Sequence, residues 1–178
     1  MQYGIQAASF YVPSLYLSIN DLAEHRGLDP LKLEKGLGLH KMALADVDED
    51  AASFAAEALL KLIKDSSVDP REISRIYLGT ESALDAAKPT ASYAMGMVEK
   101  ALESTYGPRV FKNCDVVDLT FACIGAVDAL ENCLDYCRAD STRKALVIAS
   151  DYARYELGSS GEYTQGGGAV ALLVSSDP

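Results

Sequence analysis

Asp118-Leu119-Thr120-Phe121-Ala122-Cys123-Ile124-Gly125-Ala126-Val127 is the stretch on which the reading of this chain turns. Apolar residues from Phe111 to Leu119 suit a strand, and the residues beyond suit a helix. Ala126, Val127, Leu130, Cys133, Leu134 and Cys137 recur at steps of three and four, the spacing of one buried helical stripe. A strand running straight into a helix through a short apolar turn is the repeating unit of an α/β fold. The spacing places Cys123 in the first turn of the helix, where unpaired backbone N–H groups and the positive end of the helix dipole favour a thiolate. The thiol is therefore expected to ionise below its ordinary pKa of about 8.5. The plain alternative is a small buried hydrophobe, the default state of a cysteine in an apolar run.

Working outward, strands and helices alternate along the chain, which predicts a mostly parallel sheet covered by helices. Gly4 to Val12 reads as a first strand with apolar alternation at Ile5, Ala7 and Phe10. Asn20 is placed to cap a short helix through Arg26. Asp29-Pro30 supplies cap and first-turn proline for another helix ending near Gly36. Asp46 to Asp50 puts acid ahead of a longer helix with the stripe Ala52, Ala55, Leu59, Leu62 and Ile63. Asp69-Pro70 breaks the chain before a second strand, Ile73 to Leu78. Pro89 opens a helix through about Glu103 with Tyr93, Met97 and Ala101 at four-residue steps. Phe111 to Leu119, Lys144 to Ser150 and Gly168 to Val174 complete five strands, and no shift in composition divides residues 1–178 into two domains.

The second strand leads into Gly79-Thr80-Glu81-Ser82, so a carboxylate emerges at a strand's C-terminal end, the edge of an open α/β sheet where ligands bind. Glu81 and Cys123 then face one crevice. An isolated glutamate in a turn is otherwise simply solvated. Gly166-Gly167-Gly168 lacks the lysine and hydroxyl of a phosphate loop and feeds a strand, so close backbone approach is its better explanation.

Five separated blocks then carry a resemblance. Gly36-Leu37-Gly38-Leu39-His40-Lys41-Met42, Gly79-Thr80-Glu81-Ser82 with Asp85 and Lys88, Ala122-Cys123-Ile124-Gly125-Ala126, Ala149-Ser150-Asp151-Tyr152-Ala153-Arg154-Tyr155, and Gly161 to Ala171 occur in the order and roughly the spacing of a bacterial 3-hydroxy-3-methylglutaryl-CoA synthase. The chain resembles the N-terminal half of that family, within the thiolase-like condensing superfamily. The resemblance implies a thiolase-like half with a five-stranded mostly parallel sheet and helices on both faces. It implies that Cys123 carries an acetyl group taken from acetyl-CoA, and that Glu81 acts as general acid/base while the acetyl carbanion attacks acetoacetyl-CoA. Asp151 and Tyr155 match acyl-pocket positions, Thr164 a threonine near the substrate, and Lys32 lies near the CoA-contacting segment. Without the resemblance, Asp151 reads equally well as a strand-end cap, Tyr155 as a half-buried ring and Lys32 as a solvated charge.

The same resemblance implies no metal and no organic redox cofactor, CoA thioesters as substrates, a homodimer formed through this half, and a role in isoprenoid precursor biosynthesis by the mevalonate pathway. A polyketide-pathway relative acting on substrates tethered to an acyl carrier protein is the enzymatic alternative, and a non-catalytic thiolase-like assembly subunit is the alternative of another class. Ile124 departs from the aromatic residue that follows the nucleophile in many members, which alters one wall of the acyl pocket. The family's catalytic histidine belongs to its C-terminal half, so the sequence reads as half an enzyme, expected to be inactive alone. His25, on an expected surface helix, and His40, after a glycine-rich turn, do not replace that histidine.

Composition narrows the classes further. Apolar residues make up 49% of the 178, yet no uninterrupted run approaches the roughly 20 of a membrane span, and no basic-then-apolar leader opens the chain. A cytoplasmic location is the default expectation. The net charge of −10 opposes nucleic acid and anionic membranes. It also opposes a CoA anion unless a local basic patch offsets it. Cys114, Cys123, Cys133 and Cys137 show neither zinc-ligand pairing nor a secreted disulfide framework, and Cys133 and Cys137 read as packing residues one helical turn apart.

Overall fold

A computed structural model describes residues 2–177. Its main sheet has the order β1-β7-β6-β4-β5, from Gly4–Tyr11 (β1), Ile73–Gly79 (β4), Asp115–Leu119 (β5), Lys144–Ala153 (β6) and Gly166–Ser175 (β7). β4 pairs parallel with both β5 and β6, whereas β7 runs antiparallel between β6 and β1. Four of the five strands therefore point one way, so the sheet is mostly parallel in direction.

The connections explain where the helices lie. α4 (Thr90–Tyr106) links β4 to β5, and α5 (Gly125–Ala139) links β5 back across β4 to β6. Right-handed crossovers that travel in opposite directions along a sheet leave their helices on opposite faces. Accordingly, α3 (Ala51–Ser66) and α4 bury Phe54, Leu59, Leu62, Val98 and Leu102 against one face. α5 buries Ala129, Cys133 and Cys137 against the other. Burying each large apolar side chain of this kind is worth about 1.5–3 kcal/mol.

Local signals set the helix ends. α3 starts where Asp50 accepts from the Ser53 amide and Ser53 returns a bond to the Asp50 amide, a reciprocal cap that fixes the first turn. All five residues of its expected stripe are buried. Asp29 and Pro30 open α2 (Pro30–Leu37) as expected, and the helix ends within a residue of Gly36, closed by a left-handed Gly38. α1 (Ile19–His25) begins one residue before Asn20, capped by Ser18.

Four other expectations differ. A two-stranded ribbon of Leu15–Ser18 (β2) and Lys41–Leu44 (β3) was not anticipated, because two four-residue segments separated by α1 and α2 give too little alternation to read. Phe111 lies in the turn before β5, which begins only at Asp115. In β1 a register shift between Ile5 and Ala7 upsets the alternation, and Ile5 and Phe10 are exposed at the sheet edge. In α4 the buried row is Ala91, Ala94, Val98 and Leu102, so Met97 and Ala101 face outward. Among the described residues no helix is long and apolar enough to cross a membrane.

Candidate functional site

The C-terminal ends of β6, β4 and β5 lie side by side, and the segments leaving them build one crevice. β5 ends at Leu119, Ala122–Ile124 form a single 3₁₀ turn, and α5 begins at Gly125. Cys123 thus sits in that turn, just ahead of the helix rather than inside its first turn. Ala122 holds a left-handed φ of 43°, sparsely populated for a residue with a side chain. Strain of this sort persists only where the surroundings over-determine the backbone.

Two glycines supply that constraint. A Cβ on Gly79, the last residue of β4, would lie 2.2 Å from the amide nitrogen of Ala126, and one on Gly125 would lie 2.5 Å from the carbonyl oxygen of Leu119. Backbone meets backbone at both points. The start of α5 can therefore lie directly across the end of β4, which carries Cys123 from its own strand to the turn that follows Gly79.

Glu81 occupies that turn. The Cys123 thiol donates to Glu81 Oε1 across 3.1 Å, and both residues are solvent-exposed. Asp151, on β6, accepts from the Glu81 amide at 2.6 Å and from the Thr80 hydroxyl at 3.1 Å. Cys123, Glu81, Asp151, Tyr155 and Thr164 line one open crevice of about 590 Å³, together with Ser82, Tyr152, Ala153 and Arg154. Lys32 is not among the lining residues; it stands exposed on α2. Five of the six residues singled out from sequence are thus brought together.

The thiol behaves differently from the expectation. Its pKa is raised rather than lowered, first by the hydrogen bond to Glu81 and then by that carboxylate's negative charge, with Asp151 adding a smaller push. A helix terminus offers partial positive charge, whereas Glu81 offers a full negative one at contact distance, so the carboxylate wins. Cys114 and Cys133 are driven up to about 12, mainly by burial, and Cys133 and Cys137 lie sealed in the core as free thiols. Cys123 is the exposed cysteine of the four.

The far wall comes from the segment between β6 and β7. Tyr155 packs over Gly161, whose Cβ would lie 3.0 Å from the ring, and its amide donates to Gln165 Oε1 at 2.9 Å. Glu162, 2% exposed, receives two bonds from Arg26 of α1, at 2.6 and 2.9 Å, and one from the Gly158 amide. This pair, buried on the Glu162 side, ties the segment bearing Thr164 to the lobe of α1, α2 and the ribbon, where Tyr163 also packs. Gly167 and Gly168 meet Phe54 and the Tyr11 carbonyl closely, as backbone approach requires.

Arg154 escaped the sequence reading although it stands in a quoted block. It is the one cationic side chain among the described residues lining the crevice, and no spacing rule distinguishes it from a solvated arginine. His40 lies 2.9 Å from Glu34 on the lobe, and neither it nor His25 lines the crevice. A second hollow, walled by Asp46, Asp48, Glu49 and Glu57, is unsuited to an anionic ligand.

A thiol and a carboxylate in contact at the strand ends of an α/β sheet with helices on both faces define a thiolase-like domain. The family model described as hydroxymethylglutaryl-coenzyme A synthase N terminal matches residues 1–178. The chain belongs to the hydroxymethylglutaryl-CoA synthase family. Over 178 residues it is 39% identical to the hydroxymethylglutaryl-CoA synthase of Haloferax volcanii, covering 98% of this chain and 39% of that protein. Among solved structures it resembles MvaS in complex with 3-hydroxy-3-methylglutaryl coenzyme A, with a TM-score of 0.89, 40% identity, and coverage of 99% of this chain and 40% of the other. It also resembles the HMG synthase of the curacin biosynthetic pathway in complex with acetyl donor-ACP, with a TM-score of 0.84, 30% identity, and coverage of 100% and 42%. The chain spans about two fifths of the length of these relatives.

Proposed function

We propose that this chain provides the acyl-carrying side of a hydroxymethylglutaryl-CoA synthase reaction. The Cys123 sulfur attacks the acetyl carbonyl of acetyl-CoA, a carbon–sulfur bond forms to the enzyme, and CoA leaves as its thiol with the proton that Cys123 gives up. Glu81 then helps take a proton from the acetyl methyl, and the carbanion attacks the ketone carbon of acetoacetyl-CoA, whose oxygen gains a proton. Water finally hydrolyses the enzyme thioester. A thioester suits this sequence because its α-carbon enolises more readily than that of an oxygen ester. A positioned carboxylate contributes about 10²–10⁴ in rate. The observation that carries the reading is the 3.1 Å contact between Cys123 and Glu81 in an open crevice.

Asp151, Tyr155 and Thr164 wall the acyl site in this proposal, and Arg154 supplies positive charge beside it. Lys32 is retained only as a CoA contact at a distance from the crevice. Neither a metal nor an organic cofactor enters the chemistry. The proposal extends to a cytoplasmic homodimer serving isoprenoid precursor biosynthesis through the mevalonate pathway. β5 lies at the edge of the sheet, and Val117, Phe121 and Ile124 are exposed near it, which supports a second copy packing there.

An acyl donor tethered to a carrier protein is the second reading, favoured by the likeness to the curacin pathway enzyme. Intact-mass spectrometry of the full-length protein after brief incubation with acetyl-CoA or acetyl-carrier protein tests both. A gain of one acetyl group, absent in Cys123→Ser, is expected, and the more efficient donor separates the two readings. Label confined to other cysteines would overturn both.

A further inference from the structure

The contact between Cys123 and Glu81 depends on a turn held by more than its own backbone. Thr80 is fully buried and bonds to the ends of both strands that flank β4. Its amide donates to the Leu119 carbonyl at 3.2 Å, and its hydroxyl donates to Asp151 Oδ1 at 3.1 Å. The same hydroxyl accepts from the Ser82 amide at 2.9 Å, while Ser82 Oγ accepts from the Tyr152 amide at 3.1 Å. Asp151 closes the loop by accepting from the Glu81 amide. A glutamate in an exposed turn would ordinarily wander; this one hangs from a laced frame on both sides.

We propose that Thr80 is a positioning residue, whose hydroxyl, through Asp151 and Ser82, fixes the Glu81 turn so that the Glu81 carboxylate reaches the Cys123 thiol. The proposal rests on the reading of Glu81 as the proton-transfer group and assigns its placement to Thr80. Removing the hydroxyl while keeping its shape leaves the Ser82 amide without its acceptor and Asp151 with the Glu81 amide alone. The turn then samples positions from which the carboxylate no longer meets the sulfur. A turn that has lost these bonds is free to populate such positions.

The charged and titratable groups sharing the crevice with Cys123 are Glu81 from the β4 turn and Asp151, Tyr152, Arg154 and Tyr155 from β6 and the segment after it. Of these, Glu81 raises the thiol most, so the reactivity of the sulfur reports where Glu81 is. Alkylation of Cys123 by iodoacetamide in the full chain, resolved from the other cysteines by peptide mass spectrometry, is followed from about pH 6 to 10, a window around the ordinary thiol value. In Thr80→Val, alkylation at neutral pH is expected to rise several-fold and the profile to move to lower pH, toward that of Glu81→Gln. Thr80→Ser, which keeps the hydroxyl, is expected to restore the wild-type profile. Protection of the core thiols Cys133 and Cys137 shows whether a variant is folded, and Thr80→Ala decides the matter if valine exposes them.

A folded Thr80→Val or Thr80→Ala with an unchanged profile overturns the proposal. So does a Thr80→Ser profile matching that of valine, or exposure of the core thiols in both the valine and alanine variants, which would make Thr80 a purely structural residue. No acyl donor enters this test. Failure to acetylate Cys123 would therefore sink the proposed function while leaving the positioning result intact.

Discussion

Cys123 and Glu81 are joined by a hydrogen bond in which the thiol donates and the carboxylate accepts. The thiol stays protonated because its neighbour is an acceptor and an anion, so the sulfur becomes nucleophilic only when that proton is taken from it. Replacing the neighbour has opposite consequences for the two steps of the proposed reaction. Glu81→Ala frees the thiol to ionise at lower pH, and acetyl transfer is expected to survive. Carbon–carbon bond formation loses its proton-transfer group and is expected to fall by about 10²–10⁴. Intact-mass labelling for the first step and product formation for the second, both in the full-length protein, separate them. If both proceed unimpaired, the role given to Glu81 is wrong. At this scale the sequence named two residues that the structure brings into contact but misjudged the thiol: helix polarity is visible in a periodic pattern, whereas a carboxylate 42 residues away is not.

At the scale of elements, the site exists because α5 lies across the tip of β4 at backbone contact. Gly79→Ala places a methyl group 2.2 Å from the Ala126 amide nitrogen, where no flexible side chain can yield. The start of α5 must lift, and Cys123 moves with it. The expected result is a destabilisation of about 1–3 kcal/mol or more from overpacking, seen as a lower urea midpoint, with alkylation of Cys123 approaching that of Glu81→Gln. An unchanged midpoint would show that the contact is not tight. Elements with a reciprocal cap and a long stripe, such as α3 behind Asp50, were legible to within a residue or two. α4 was not: Tyr93, Met97 and Ala101 and the buried row Ala94, Val98 and Leu102 have the same period and differ by one position. Period alone does not say which of two adjacent apolar rows the core accepts.

Across the whole molecule, the lobe of α1, α2 and the ribbon is fastened to the crevice wall by the pair Arg26 and Glu162. The Arg26 guanidinium holds the Glu162 carboxyl below the usual carboxylate range, and hydrogen bonds do the same for Asp69, Asp85 and Asp140. A carboxyl depressed in the folded state lends stability that is fully present above its unfolded pKa, about 4. That stability is lost as pH falls through the lower folded value. The thermal midpoint is therefore expected to fall steadily below about pH 4, and Glu162→Gln to shallow that fall. Equal slopes for the variant and the wild type would remove Arg26–Glu162 from the account. The α/β class, the strand count of the main sheet and the buried stripe of α3 were determined by sequence alone, because each rests on residue types at short, regular spacing. The strand order β1-β7-β6-β4-β5, the reversed β7, the ribbon, and the juxtaposition of Cys123, Glu81 and Asp151 were decided only by tertiary structure. Those depend on which distant backbones can approach one another, and approach is a property of packed volume that no local pattern encodes.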